Sequence, residues 1–100
     1  MSGEAGEESA DRVCRRYIFH GRVQGVGFRW TTSRIAGRHP VAGYVKNLRD
    51  GTVELVAQAA ATDVARFVTE VRENFRRSIT NYEEENLSPD ESLHGFSIQS

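Results

Sequence analysis

Two segments of this chain carry apolar residues on one helical face only, and that limits what the chain can fold into. Phe28, Thr32, Ile35 and Ala36 fall at i, i+4, i+7 and i+8. Val64, Phe67, Val68, Val71 and Phe75 fall at i, i+3, i+4, i+7 and i+11, while Arg66, Glu70, Arg72 and Glu73 lie off that stripe. A helix with one apolar stripe buries it against one surface. Both helices therefore need a common layer to cover.

The segments around them read as strands. Val13–His20 is rich in β-branched and aromatic residues, with Arg15, Tyr17 and Phe19 on one face and Cys14, Arg16 and Ile18 on the other. The Tyr17 and Phe19 face has more apolar area and is expected to be buried. Val41–Leu48 is a second strand, and Asp50-Gly51 signals a tight hairpin, because Gly accepts a positive φ. Residues 52–57 return as a third strand, with Val53, Leu55 and Ala57 on one face. Thr62 or Asp63 is the expected N-cap of the second helix. A fourth strand is expected over 78–84, a polar loop over 86–92 and a short last strand over 93–99, where Phe96 and Ile98 point the same way. Gly37 and Pro40 close the first helix. The order is βαββαβ plus a short C-terminal strand. This predicts an α+β, ferredoxin-like sandwich with two helices on one face of an antiparallel sheet. Metal carriers, RNA-recognition modules and regulatory domains share that fold, so it names no function.

Charge narrows the choice. The chain has 100 residues and a net charge of -1, but the charge is segregated. Residues 1–11 carry Glu4, Glu7, Glu8 and Asp11 and no base. They are small and polar and are expected to be a disordered acidic arm ahead of one domain at 12–100. Residues 12–49 carry nine bases (Arg12, Arg15, Arg16, Arg22, Arg29, Arg34, Arg38, Lys46 and Arg49) and no acid. Four bases and ten acids follow in 50–100. A basic half beside an acidic half points to an anionic partner. Cys14 is the only cysteine, so no intrachain disulfide forms. No run approaches the ~20 apolar residues of a membrane span. Without an apolar leader at the N-terminus, the expectation is a reduced, cytoplasmic protein that makes no membrane contact, and Asn86-Leu87-Ser88 is a chance sequon. No spare apolar stripe argues for a dimer, so a monomer is expected.

The chemistry concentrates in Gly21-Arg22-Val23-Gln24-Gly25-Val26-Gly27-Phe28-Arg29, between a strand and a helix N-terminus. Glycines there let successive N–H groups converge on an anion, and the helix dipole adds positive potential. Arg29 stands in the first turn, where its planar fork suits phosphate oxygens. The spacing fits neither a P-loop nor a dinucleotide fingerprint. Taken alone, it reads either as a small phosphate or carboxylate cradle or as a glycine-rich turn with a surface arginine. Asn47 stands near a strand end on the face of Val41 and Val45, where a polar group needs a partner. The bland alternative is an exposed asparagine leading into the hairpin. His20, His39 and His94 lack ligand spacing, so no metal site is expected. Trp30 reads as packing, and Glu83-Glu84-Glu85 as a solvated strand end.

The blocks at 21–29, at Gly43-Tyr44-Val45-Lys46-Asn47 and at Asp50-Gly51-Thr52-Val53-Glu54 together resemble the acylphosphatase family. The chain departs from the family pattern at Pro40, at Ala59 or Ala60 and at Arg77-Ser78, all turn positions. The resemblance implies a hydrolase acting on acid anhydrides, which splits acyl phosphates into carboxylate and phosphate without metal or cofactor. It assigns phosphate binding to Arg29 with the amides of residues 22–28 and water positioning to Asn47. It also implies phosphate or sulfate as product-like ligands. Family domains also occur fused to larger carbamoyl-transfer proteins, but a stand-alone enzyme is expected here. The competing reading is a non-catalytic anion- or RNA-binding module. The aromatic sheet signature of RNA-recognition modules is missing, so no nucleic-acid partner is expected.

Overall fold

The computed structural model describes residues 12–100, and the acidic segment 1–11 lies outside them. The elements are β1 (Arg12–Gly21), α1 (Phe28–Ala36), β2 (Ala42–Asn47), β3 (Val53–Ala60), α2 (Ala61–Asn74), β4 (Ile79–Leu87) and β5 (Phe96–Gln99). They form one five-stranded sheet in the order β4-β1-β3-β2-β5. The expected ferredoxin-like α+β architecture is present.

Both helical stripes are buried as their spacing dictates, except that Phe75 falls just past the end of α2 and is only partly buried. Phe28, Thr32, Ile35 and Ala36 of α1 and Val64, Phe67, Val68 and Val71 of α2 all face inward. They meet Tyr17 and Phe19 of β1, Val45 of β2 and Val53, Leu55 and Ala57 of β3 in one core. Arg16 pairs opposite Val56 and Tyr17 opposite Leu55, which keeps the apolar residues of β1 and β3 on the helix side.

The sheet is mixed, not wholly antiparallel as expected. β5 runs parallel to β2, with Gly43↔Phe96 and Val45↔Ile98 in register. The cause is the path of residues 88–95. They leave β4 at one sheet edge, cross three strands and start β5 at the end where β2 starts. Gln58 of β3 anchors the crossing: its Nε2 donates to Asp90 O at 2.9 Å, and Asp90 N–H donates to its Oε1 at 2.7 Å. This accounts for a glutamine only 2% exposed on the helix-free face, beside its register partner Cys14.

Other boundaries differ for local reasons. No side chain caps α2: the N-cap is Ala60, because β3 runs straight into the helix without a loop. Of the two expected caps, Thr62 is exposed and Asp63 sits in the first turn, where its charge suits the dipole. β4 extends through Asn86 and Leu87, which had read as loop, because β1 continues beside them to Cys14. β5 begins at Phe96 rather than Leu93.

Charge pairing accounts for three of the nine bases in residues 12–49. Arg15 lies 3.8 Å from Glu84, Arg16 lies 2.5 Å from Glu54 and 3.4 Å from Glu85, and Arg38 pairs with Glu70. His20 sits 2.6 Å from Glu83. The Glu83-Glu84-Glu85 run is thus a row of partners for β1, not merely a solvated end.

Candidate active site

The glycine-rich connection leaves β1 at Gly21 and enters α1 at Phe28. Val23 and Phe28 are buried and pin its two ends, while residues 25–27 stay exposed. Gly25 and Gly27 both have φ of 79°, a left-handed conformation that costs a residue with a Cβ. Among the described residues, the N–H groups of residues 23–30 find no acceptor in the protein. The last of these belong to the first turn of α1, where helix geometry leaves them unpaired. A row of free amides at the positive end of a helix dipole is a site for an anion.

Gln24 fixes this loop to the β2–β3 hairpin. Its Nε2 donates to Leu48 O at 2.7 Å and to Thr52 O at 2.8 Å. The hairpin is a wider turn than Asp50-Gly51 alone suggests. Leu48 N–H donates to Thr52 O at 2.9 Å and Gly51 N–H to Leu48 O at 3.2 Å, enclosing residues 49–51. Asp50 accepts from the Thr52 hydroxyl at 2.5 Å and its N–H at 3.0 Å, and these bonds hold its carboxyl below the usual range.

A cavity of about 220 Å³ lies where these parts meet. Gly25, Gly27 and Arg29 border it from the loop and α1, and Asn47 from the end of β2. Arg29 and Asn47, eighteen positions apart in sequence, therefore reach one space. Arg29 Nη1 donates to Gln99 O at 3.0 Å, so β5 orients the guanidinium. No carboxylate among the described residues pairs with it. Its charge is left for a ligand, unlike those of Arg15, Arg16 and Arg38. Asn47 Oδ1 is buried and has no hydrogen-bond partner among the described residues. Such an atom needs a donor.

The other proposed loop residues are placed differently. Arg22 is exposed and does not border the cavity, and its N–H is committed to Ser78 O at 2.9 Å. Gln24 serves the hairpin through its side chain. Val26 is 40% exposed between the two glycines. Trp30, expected in the packing, is 60% exposed and borders the cavity together with Ile98. No sequence signal marks either, since Trp30 follows the motif and Ile98 comes from the distant β5. A larger hollow of about 350 Å³ lies between α2 and β4, but it contains no motif residue, and Arg72 there stacks on Tyr82 at 4.4 Å.

The arrangement suits a small dianion next to a water: free amides and one unpaired cation for the charge, and one unpaired acceptor for a water proton. At about 220 Å³ the space falls below the ~300–1,000 Å³ of drug-sized ligand sites.

Comparison with known proteins gives the family. The acylphosphatase family model matches residues 15–98. An acylphosphatase of Koribacter versatilis is 38% identical over 99 residues, covering 98% of this chain and 90% of the relative. One from Lacticaseibacillus paracasei is 34% identical over 89 residues, covering 87% and 96%. The crystal structure of acylphosphatase from Bacillus subtilis superposes with a TM-score of 0.79 at 36% identity, covering 88% of this chain and 99% of that one. With the glycine-rich loop, Arg29 and Asn47 in place, this chain belongs to the acylphosphatase family.

Proposed function

We propose that residues 12–100 hydrolyse the carboxyl–phosphate anhydride of small acyl phosphates, without a metal ion. The observation that carries this reading is convergence: Arg29's unpaired guanidinium, the free loop amides and Asn47's unpartnered Oδ1 all border one small cavity. Arg29 and the amides hold the phosphoryl oxygens. Asn47 Oδ1 accepts a hydrogen bond from a water and aims its oxygen at phosphorus. The new P–O bond forms as the bond to the acyl oxygen breaks, and the acyl group leaves as a carboxylate. The water's proton passes to a phosphoryl oxygen. Phosphoryl transfer of this kind depends on positioning and charge stabilisation more than on covalent chemistry. A carboxylate leaves readily, so no dedicated base is required. Inorganic phosphate, presenting the same oxygens, acts as a product inhibitor. The enzyme works as a cytoplasmic monomer.

The test is benzoyl phosphate hydrolysis in the presence of a chelator. Arg29→Ala and Asn47→Ala each lower kcat/KM by roughly 10²–10³, the usual loss for one preorganised charge-stabilising group. Activity like wild type in either variant, or activity abolished by the chelator, refutes the assignment.

A further inference from the structure

Among the described residues, three large apolar side chains are substantially exposed: Val26 at 40%, Trp30 at 60% and Ile98 at 44%. Exposed apolar residues scattered singly are ordinary and call for no explanation. These three are not scattered. Trp30 and Ile98 border the cavity that Arg29 and Asn47 border, and Val26 stands between the two glycines that border it as well. They come from three separate elements: the loop, α1 and β5. Val26 and Trp30 are four positions apart, and the fold brings Ile98 to them from the last strand.

Trp30 and Ile98 are held in place. The Arg34 guanidinium lies over the Trp30 ring, 4.9 Å from its centroid, so one face of the indole is covered. Such stacking orients the ring at an exposed position. Ile98 pairs in register with Val45, whose side chain is fully buried under the helices, so Ile98 projects to the same side of the sheet. The next residue, Gln99, fixes Arg29 through its carbonyl. The strand that orients the cation thus also supplies an apolar wall beside it.

We propose that Trp30 and Ile98 form a subsite for the acyl group and make aromatic acyl phosphates the favoured substrates. This rests on the function proposed above. An acyl phosphate has a dianionic end and an organic end. The free amides and Arg29 suit the first and give no discrimination among acyl groups. A wall with an indole and a branched aliphatic side chain suits a flat apolar group, because ring contacts add to the burial of apolar area. Trp30 and Ile98 are specificity-determining residues here, since the bond chemistry needs neither.

The experiment compares kcat/KM for benzoyl phosphate and acetyl phosphate in wild type, Trp30→Ala, Trp30→Phe and Ile98→Ser. Wild type prefers benzoyl phosphate. The benzoyl-to-acetyl ratio falls roughly tenfold in Trp30→Ala and Ile98→Ser, as expected for losing one aromatic or aliphatic contact, and Trp30→Phe retains most of it. A ratio unchanged in both Trp30→Ala and Ile98→Ser overturns the subsite while leaving the proposed activity standing. Failure of wild type to hydrolyse either acyl phosphate overturns the proposed activity and the subsite with it. A second readout needs no turnover. Trp30 is the only tryptophan, so its fluorescence reports this site alone. Titration with phenacylphosphonate, whose methylene replaces the scissile oxygen, gives a saturable fluorescence change that inorganic phosphate does not reproduce. Identical responses to the two ligands overturn the contact between the indole and the acyl group.

Discussion

Gln24→Glu is the most revealing single change, because it keeps the side chain's shape and inverts its chemistry. The wild-type amide donates to Leu48 O and Thr52 O at 2.7 and 2.8 Å. Each such bond contributes about 0.5–1.5 kcal/mol net. Neither carbonyl is stranded when the amide is lost, since Leu48 O keeps Gly51 N–H and Thr52 O keeps Leu48 N–H. Gln24→Ala is therefore expected near the low end, about 1 kcal/mol for the pair of bonds. Gln24→Glu brings a carboxylate oxygen against the same two carbonyl oxygens and removes part of its hydration, which adds about 1–2 kcal/mol. The order of stability at pH 7 is then wild type, Gln24→Ala, Gln24→Glu. The acid form of the new carboxyl regains one donor, so folding raises its pKa. The folded variant binds more protons than the unfolded one, and its stability falls as pH rises through that raised value. Urea unfolding at pH 7 and at pH 4.5 reads both effects, and the deficit of Gln24→Glu relative to Gln24→Ala shrinks at the lower pH. Because Gln24 holds the loop that carries Gly25 and Gly27, kcat/KM for benzoyl phosphate falls in the same order. Equal midpoints for the two variants at pH 7 refute the clamp.

Three further outcomes are expected. A Cβ at Gly43, where φ is 148°, would lie 1.8 Å from the Val56 carbonyl oxygen, so Gly43→Ala pushes β2 from β3 and costs about 2 kcal/mol or more, seen as a lowered Tm. Glu70 accepts from His39 at 2.8 Å and also bonds Arg38, which lowers its pKa below the ordinary 4.5. The stability this gives is present above pH 4.5 and is lost as pH falls through the lowered value, so acid unfolding of Glu70→Gln is shallower than that of wild type across that window. Phosphate at 100 times its Kd stabilises wild type by about 2.7 kcal/mol through mass action. In Arg29→Ala the same phosphate concentration produces a much smaller shift in Tm.

Much of this architecture is legible in the sequence because its two helices are so plainly one-sided. The stripes from Phe28 to Ala36 and from Val64 to Val71 became buried faces, while Phe75, the last member of the second stripe, falls just past α2 and is only partly buried. The glycine-rich loop stood out as well, but residue types alone left Arg29 readable as a surface arginine and Asn47 as a hairpin asparagine, and the family resemblance gave them their roles. What escaped was set by distant parts of the chain. The parallel pairing of β5 follows from the crossing at 88–95, and Gln58, which anchors it, reads in sequence as an ordinary polar strand residue. The missing cap on α2 follows from β3 entering it directly. Trp30 read as packing because an indole is usually buried, and only the assembled cavity shows why it stands in the open. The row of bases from Arg12 to Arg49 looked like one cationic region. Folding divides it, giving Arg15, Arg16 and Arg38 acidic partners and leaving Arg29 without one.

The anchorage of Arg29 on Gln99 also has a kinetic side. These residues are 70 positions apart, and the bond between them closes most of the domain into a single long loop. Long-range closures carry an entropic cost that local contacts do not, and they slow folding. The helix that bears Arg29 and the hairpin that bears Asn47 draw on nearer contacts. A refolding chain is thus expected to bury its aromatic core before β5 docks and orients the guanidinium. In stopped-flow refolding, recovered hydrolysis should lag behind the recovery of the far-ultraviolet signal. Catalytic competence in this small domain would then date from the docking of one four-residue strand.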